Sequence, residues 1–417
     1  MDRMTYDPDP ARGPGRRRLI GWTGLAAAGA IGAGVPLATA GVAHADPAGR
    51  DRIPPDALPG GAYDRYVARL AAEGRFSGVV LLAHRGRTVL SRAYGMADAQ
   101  RGIRNHESTA FTLSSAGKPF RAVAILQLAQ QGRLKLSDPV GTYLTGFPAD
   151  LAEKVTIHHL LSGTSGVDTP TEDKERIFQS REEQHAYQER WARQVRLTGI
   201  PGLPTETHAG GETVIPALIV EAVSGMTYWD YVERNIFRRA GMTGSAFYTR
   251  PQWLTDRRIA HPYMEVADGS VVDALHHLDL GSPNEYVLGR NPGRGFIDAI
   301  GDGGFATAPD LVRFALALAD GTLLSRPWAD VLTSAKLPHG PASFSSYGPV
   351  VEIAAGQWVW QRSGGNPGVG ATWSIYPDTG WVGVILGNHD RNASLVDMIL
   401  QEMKAVTGAD PGTGGGG

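Results

Sequence analysis

FTLSSAGKPF, Phe111 to Phe120, sets two adjacent serines three and four residues ahead of a lysine and then runs straight into apolar sequence. A helix starting near Ser115 carries Lys118 at i+3 on the same face, so the amine reaches the serine oxygen. A serine hydroxyl is a weak nucleophile until a neighbour takes its proton, and a lysine does so once burial and nearby charge lower its pKa. The downstream run RAVAILQLAQQ makes this helix central to a core. The helix start adds free N–H groups that suit an oxyanion. Taken alone the spacing fits equally well a serine N-cap followed by a solvated lysine, so the rest of the chain must decide.

Composition narrows the chemistry. The chain has 417 residues with 42% hydrophobic and 20% charged side chains, enough to bury a large core and too long for one minimal domain. A net charge of -2 and the lack of a basic run in the body exclude a nucleic-acid partner. There is no cysteine, so disulfides, thiolate metal sites and cysteine nucleophiles are all excluded. Twelve histidines raise the question of metal. His158-His159 and His276-His277 are neighbours that diverge on a helix, and no H-E-x-x-H occurs, so neither metal nor cofactor is expected. GRNPGRGF and GDGGF lack the strand-loop-helix frame of a dinucleotide fingerprint, and Asp298 and Asp302 beside them either approach the cleft or, as is commoner, are solvated loop carboxylates.

Residues 1–45 read as an address rather than a fold. Arg16, Arg17 and Arg18 precede an Ala/Gly-rich apolar stretch that ends at Ala43-His44-Ala45, a small-x-small cleavage site. The twin-arginine export route fits, and an uncleaved anchor is the alternative, although Pro36 interrupts the apolar run. The expected product is secreted, extracellular or in the periplasm or cell wall, with no stable membrane association after cleavage. Residues 46–61 form a linker, 62–406 the folded domain, and 407–417 a Gly-rich tail.

Within 62–406, AYDRYVARLAA has helical spacing, and GVVLLAH and TVLSRAYG flank Arg85-Gly86-Arg87 as a hairpin with a buried first strand. Helical patterns follow through VTIHHLLSG, ALIVEAVSG, YWDYVERNIFRRAGM and APDLVRFALALADG, the last with Thr307 and Asp310 spaced as a capping box. Strand patterns return in WVWQRSGG, ATWSIYPD and WVGVILGN, and SLVDMILQEMKAV closes the domain as a helix. The fold class is therefore α/β (α+β), an antiparallel sheet built from N- and C-terminal strands flanked by helices, with an inserted, mostly helical region.

FTLSSAGKPF with AILQLAQQGRLKLSDPVGTYL, VTIHHLLSGTSGV, IVEAVSGMTYWDYVERNIFRRAGMTGSAF, GDGGFATAPDLVRFALALADGTLL and SGGNPGVGATWSIYPDTGWVGVILGN resembles the serine β-lactamase and penicillin-binding-protein superfamily over about residues 60–405. The closest likeness is to its class C β-lactamase-related branch of esterases, D-aminopeptidases and transacylases. The resemblance implies Ser115 as acyl-forming nucleophile, Lys118 as its proton partner, and an oxyanion hole from the N–H groups of Ser115 and Gly365. Arg362, Ser363 and Gly364 fall on the substrate-binding third motif, where the family usually opens with Lys or His. Arg362 is either a substrate contact or a structural ion pair.

The second motif departs further. Counting back from Val223-Ser224-Gly225 puts the family tyrosine on His208 and its asparagine on Gly210. A histidine can carry the proton to the leaving group, with Glu206 or Glu212 orienting it, and the alternative is an ordinary loop histidine. Glycine at the asparagine position leaves a more open pocket and steers away from β-lactam chemistry. Trp358, Trp360, Trp373 and Trp381 either line an acyl pocket or belong to the core, as strand aromatics more often do. The expectation is a secreted serine hydrolase acting on a small-molecule or peptide ester or amide. An acyltransferase or peptide-modifying enzyme on the same fold, or a silent ligand-binding homologue, is the alternative.

Overall fold

Two apolar segments from opposite ends of the chain meet as neighbouring strands in the computed structural model, which describes residues 52–204, 210–287 and 289–409. β1 (Gly78–His84) pairs on one side with β2 (Arg87–Tyr94). On its other side it pairs antiparallel with the last strand of the chain, Gly78 opposite Gly387 and His84 opposite Trp381. The β1–β2 turn falls on Arg85 and Gly86 at φ 50° and 75°, the left-handed pair that a two-residue hairpin needs. β3 (Phe111–Thr112) and β4 (Phe305–Ala306) form a separate two-stranded ladder. The main sheet is completed by β5 (Leu337–Gly340), β6 (Ser343–Ser345), β7 (Val350–Ala354), β8 (Gln357–Asn366), β9 (Val369–Tyr376) and β10 (Trp381–Gly387). Its order is β2-β1-β10-β9-β8-β7-β6-β5, the expected antiparallel sheet assembled from both ends of the domain.

Helices cover both faces, so the central strands read as continuous apolar runs. β1 sends Val80 and Leu82 into one core and Val79, Leu81 and Ala83 into the other. The first core lies under α1 (Ala62–Ala72) and the closing helix Leu395–Thr407. The second holds α2 (Lys118–Gln130), α3 (Gly211–Ser224) and α4 (Ala308–Ala319). Twelve of the thirteen residues of α2 are buried, from Lys118 to Ala129, as an all-round apolar helix requires. No helix among the described residues is long and apolar enough to cross a membrane, and residues 1–45, with the signal expected there, lie outside the described residues.

Two local readings are refined. YWDYVERNIFRRAGM is not one regular helix: Tyr228–Val232 is α-helical and Glu233–Phe237 continues as a π-helical turn. Thr307 caps α4 by accepting from Asp310 N, but the reciprocal half of the box is absent. The Asp310 carboxylate instead accepts from Gly244 N and Ser245 Oγ, both at 2.8 Å, so a long-range partner has displaced the local one.

Candidate active site

The helix predicted at Ser115 begins as a 3-10 turn, Ser114–Gly117, that feeds into α2 at Lys118. The tighter winding brings i and i+3 nearly into register. Lys118 Nζ donates to Ser115 Oγ at 2.8 Å. Ser114 enters the turn at φ 47°, a left-handed conformation that a non-glycine residue holds only when its surroundings impose it. Those surroundings are explicit. Ser114 Oγ donates to Gly365 O (3.0 Å) and accepts from Asn366 Nδ2 (3.2 Å). The carbonyls of Ser114, Ser115 and Ala116 accept in turn from Gly303 N (3.1 Å), Arg362 Nε (3.0 Å) and Trp373 Nε1 (3.0 Å).

β8 supplies the other wall. β7 pairs with β8 only as far as Gln361, opposite Val350, so the edge of residues 362–366 is left to the serine turn. Gly364 permits the approach: a Cβ there would stand 2.2 Å from Leu113 O and 2.7 Å from Ser115 N. In an extended strand a residue's N–H and C=O point to the same side. Since Gly365 O accepts from Ser114, the Gly365 N–H also faces the turn. Ser115 N lies in the first turn of the helical segment, where amides have no intrahelical acceptor. Ser363 turns to β9, its Oγ donating to Thr372 Oγ1 at 3.0 Å. Arg362 uses two nitrogens on backbone, Nε on Ser115 O and Nη1 on Gly348 O (3.2 Å). It thus braces the serine turn, and its charge also bears on Asp302.

Electrostatics at the lysine are set by burial and by Asp302, for which the less common of the two readings open in the sequence holds. Asp302 Oδ2 is 3.5 Å from Lys118 Nζ. Burial lowers the Lys118 pKa, Asp302 opposes, and the Arg362 and Arg121 guanidinium groups lower it again, leaving it at about 8. Burial alone would push the Asp302 carboxyl up, but Lys118, Arg121, the Gly303 N–H and Arg362 bring it below its ordinary value. Asp298 has no such cation beside it and is driven up to about 7 by burial, against the Gly304 N–H. Burial and Arg121 lower Arg362 to about 10.

Of the second motif, His208 and Glu206 lie outside the described residues. Glu212 is engaged elsewhere, its Oε1 accepting from Ser165 Oγ (2.5 Å) and Ser165 N (3.2 Å). Gly210 does not open a pocket: a Cβ there would lie 2.6 Å from Trp191 Cη2, so the indole occupies the space of a longer side chain. Of the four tryptophans considered for an acyl pocket, Trp373 and Trp381 are buried in the two cores, Trp360 packs partly buried, and Trp358 is exposed. Among the described residues, His261, Asp273 and His276 come within metal-binding reach of one another, but both ring nitrogens of His261 are already bonded, to Asp273 Oδ2 (2.7 Å) and Trp253 O (3.1 Å).

Comparison with known proteins gives the family and the fold. The family model described as Beta-lactamase matches residues 63–406. A penicillin-binding protein of Bacillus subtilis (strain 168) is 28% identical over 336 residues, covering 80% of this chain and 75% of that protein. Esterase EstB of Burkholderia gladioli is 42% identical over 109 residues, 25% of this chain and 28% of the esterase. The crystal structure of a penicillin-binding protein from Bacillus halodurans superposes with a TM-score of 0.68 at 26% identity, covering 80% of this chain and 98% of that one.

Proposed function

The chain belongs to the Beta-lactamase family, a serine-hydrolase-type superfamily, and from that premise we propose that it is a secreted hydrolase working through an acyl-enzyme on Ser115. The observation that carries this reading is the 2.8 Å contact from Lys118 Nζ to Ser115 Oγ, at an amine whose pKa of about 8 leaves a useful neutral fraction near neutrality. Neutral Lys118 takes the hydroxyl proton as Ser115 Oγ bonds to the substrate's carbonyl carbon. The oxyanion that forms is met by the Ser115 and Gly365 N–H groups. Collapse expels the alcohol or amine, which takes its proton from His208 acting as relay, or from the Lys118 ammonium itself. Water then repeats the sequence on the acyl-enzyme and restores Ser115.

Substrates in this reading are small-molecule or peptide esters and amides, and the signal in residues 1–45 delivers the enzyme outside the cell. The named relatives point to two activities, penicillin binding and ester hydrolysis. Trp191 favours the ester: with its indole where a side chain at Gly210 would sit, no side-chain amide is available there for a substrate's amide.

Intact-mass measurement with a fluorophosphonate tests the proposal, alongside turnover of a p-nitrophenyl ester. The wild type is expected to gain one adduct and to hydrolyse the ester, and Ser115→Ala to do neither. A wild type that takes up no adduct and turns over no ester would refute covalent catalysis at Ser115.

A further inference from the structure

Asp302 reaches Lys118 by a construction that the acyl-enzyme scheme alone does not require. The β3–β4 ladder pairs Phe111 with Ala306 and Thr112 with Phe305. It continues past both strands, Leu113 N donating to Gly304 O (2.9 Å) and Gly303 N to Ser114 O (3.1 Å). One more step along each chain stand Ser115 and Asp302. Gly303 N donates to Asp302 Oδ1 at 2.9 Å, which fixes the carboxylate and turns Oδ2 to Lys118 Nζ. The side chain keeps 24% of its surface exposed, against 5% for Lys118.

We propose that Asp302 is the positioning residue of a Ser115–Lys118–Asp302 array, holding the Lys118 amine on the serine and stabilising the ammonium formed when the amine takes the serine proton. The proposal rests on the acyl-enzyme reading of Ser115 and Lys118. Charged groups that bear on Lys118 come from every side: Arg121 from α2, Arg362 from β8, Glu212 from α3, and Asp302 from the loop before β4. Asp302 in turn raises the pKa of Asp298, in the same loop. Glu212 is taken by Ser165 and raised by burial, whereas Asp302 is held below its ordinary value and stands in contact with the amine. Without Asp302, a protonated Lys118 would share its buried setting with the Arg121 and Arg362 guanidinium groups and lose the carboxylate that opposes them. An opposite charge at this range moves a pKa by about 1–3 units. The carboxylate therefore makes the amine a stronger base and keeps its conjugate acid tolerable, as the aspartate does for histidine in serine proteases.

The test is the pH dependence of kcat/KM for a p-nitrophenyl ester in wild type, Asp302→Asn and Asp302→Glu. Asparagine keeps the acceptor for Gly303 N and removes the charge. In Asp302→Asn the acid limb is expected to move down by about 1–3 pH units, and the plateau rate to fall by about 10²-fold. Asp302→Glu should restore part of both. A lower rate at every pH with the acid limb in its wild-type place would mean that Asp302 is only structural, and would overturn the proposal. Should the wild type show no turnover, the acyl-enzyme reading fails separately, and the array is read from the lysine itself. The chain holds six lysines, so ¹³C-labelled lysine gives few signals, and Lys118→Met identifies the one in question. A Lys118 titration midpoint unchanged by Asp302→Asn overturns the proposal, and one lowered by a unit or more supports it.

Discussion

The two faces of the main sheet each bury ionisable side chains, and they treat them in opposite ways. On the face covered by α2, α3 and α4, Lys118, Asp302, Arg121 and Arg362 bring charges of both signs together, with Lys118 in contact with both Ser115 Oγ and the Asp302 carboxylate. On the other face, Glu402 is fully buried between α5 (Leu395–Thr407) and the sheet, with no cation beside it among the described residues. Tyr376 Oη donates to its Oε1 at 3.1 Å, and burial pushes its pKa up to about 8, so it is a neutral acid at pH 7. A buried group in a cluster of opposite charges keeps a proton that can move, whereas a buried group without them simply keeps its proton. The first arrangement is useful for chemistry, and the second is a packing solution.

The sharpest way to break this contrast is Lys118→Met. Loss of a general base costs about 10²–10⁴-fold, so ester hydrolysis should fall by that factor while near-UV circular dichroism stays native. Activity within tenfold of wild type would remove the lysine from the chemistry. Next in size is Gly383→Ala on the opposite face. A Cβ there would lie 2.0 Å from Glu402 Oε1, and the expected loss is about 1–3 kcal/mol of stability by urea unfolding, with kcat/KM unchanged.

Glu402→Gln sharpens the comparison through pH. The folded pKa, about 8, stands above the unfolded value, so the folded state keeps a proton that the unfolded chain has lost. The stability this contributes is full below the unfolded pKa, near 4.3, and is lost as pH rises toward 8, at about 1.4 kcal/mol per pH unit. The melting temperature of Glu402→Gln relative to wild type should therefore climb steadily from pH 5 to 8, and a flat difference would show that the carboxyl is already ionised. The smallest effect is expected at Ser114→Gly. Relief of a left-handed serine gains about 1 kcal/mol, and loss of the Oγ bonds to Gly365 and Asn366 costs a similar amount, so stability should shift by less than about 1 kcal/mol.

The contrast also explains what could be read from the sequence. Elements specified by local periodicity were legible: the buried β1 beside its two-residue turn, the all-apolar α2, and the late strands that close the sheet. The spacing of Ser115 and Lys118 was legible because one helical turn holds both. Asp302 was not, since its place depends on a ladder of two-residue strands, too short to leave a pattern, between segments far apart in the chain. Its trace was the run Gly301-Asp302-Gly303-Gly304, in which all three glycines take positive φ. Trp373 and Trp358 lie on the same sheet, yet Trp373 is buried against the serine turn, its Nε1 donating to Ala116 O, while Trp358 near the start of β8 is exposed beside Phe344. Arg362 could not be assigned from its charge, since its partners are backbone carbonyls.

The turn that bears Ser115 has its own carbonyls held by Gly303, Arg362 and Trp373, all from the later part of the chain. During synthesis, then, the hydroxyl and its amine emerge long before the groups that lock them into a reactive pose. Such distant contacts close late in folding. A growing chain would carry the Ser115–Lys118 pair without its brace, and the turn would be fixed only once the final strands are in place.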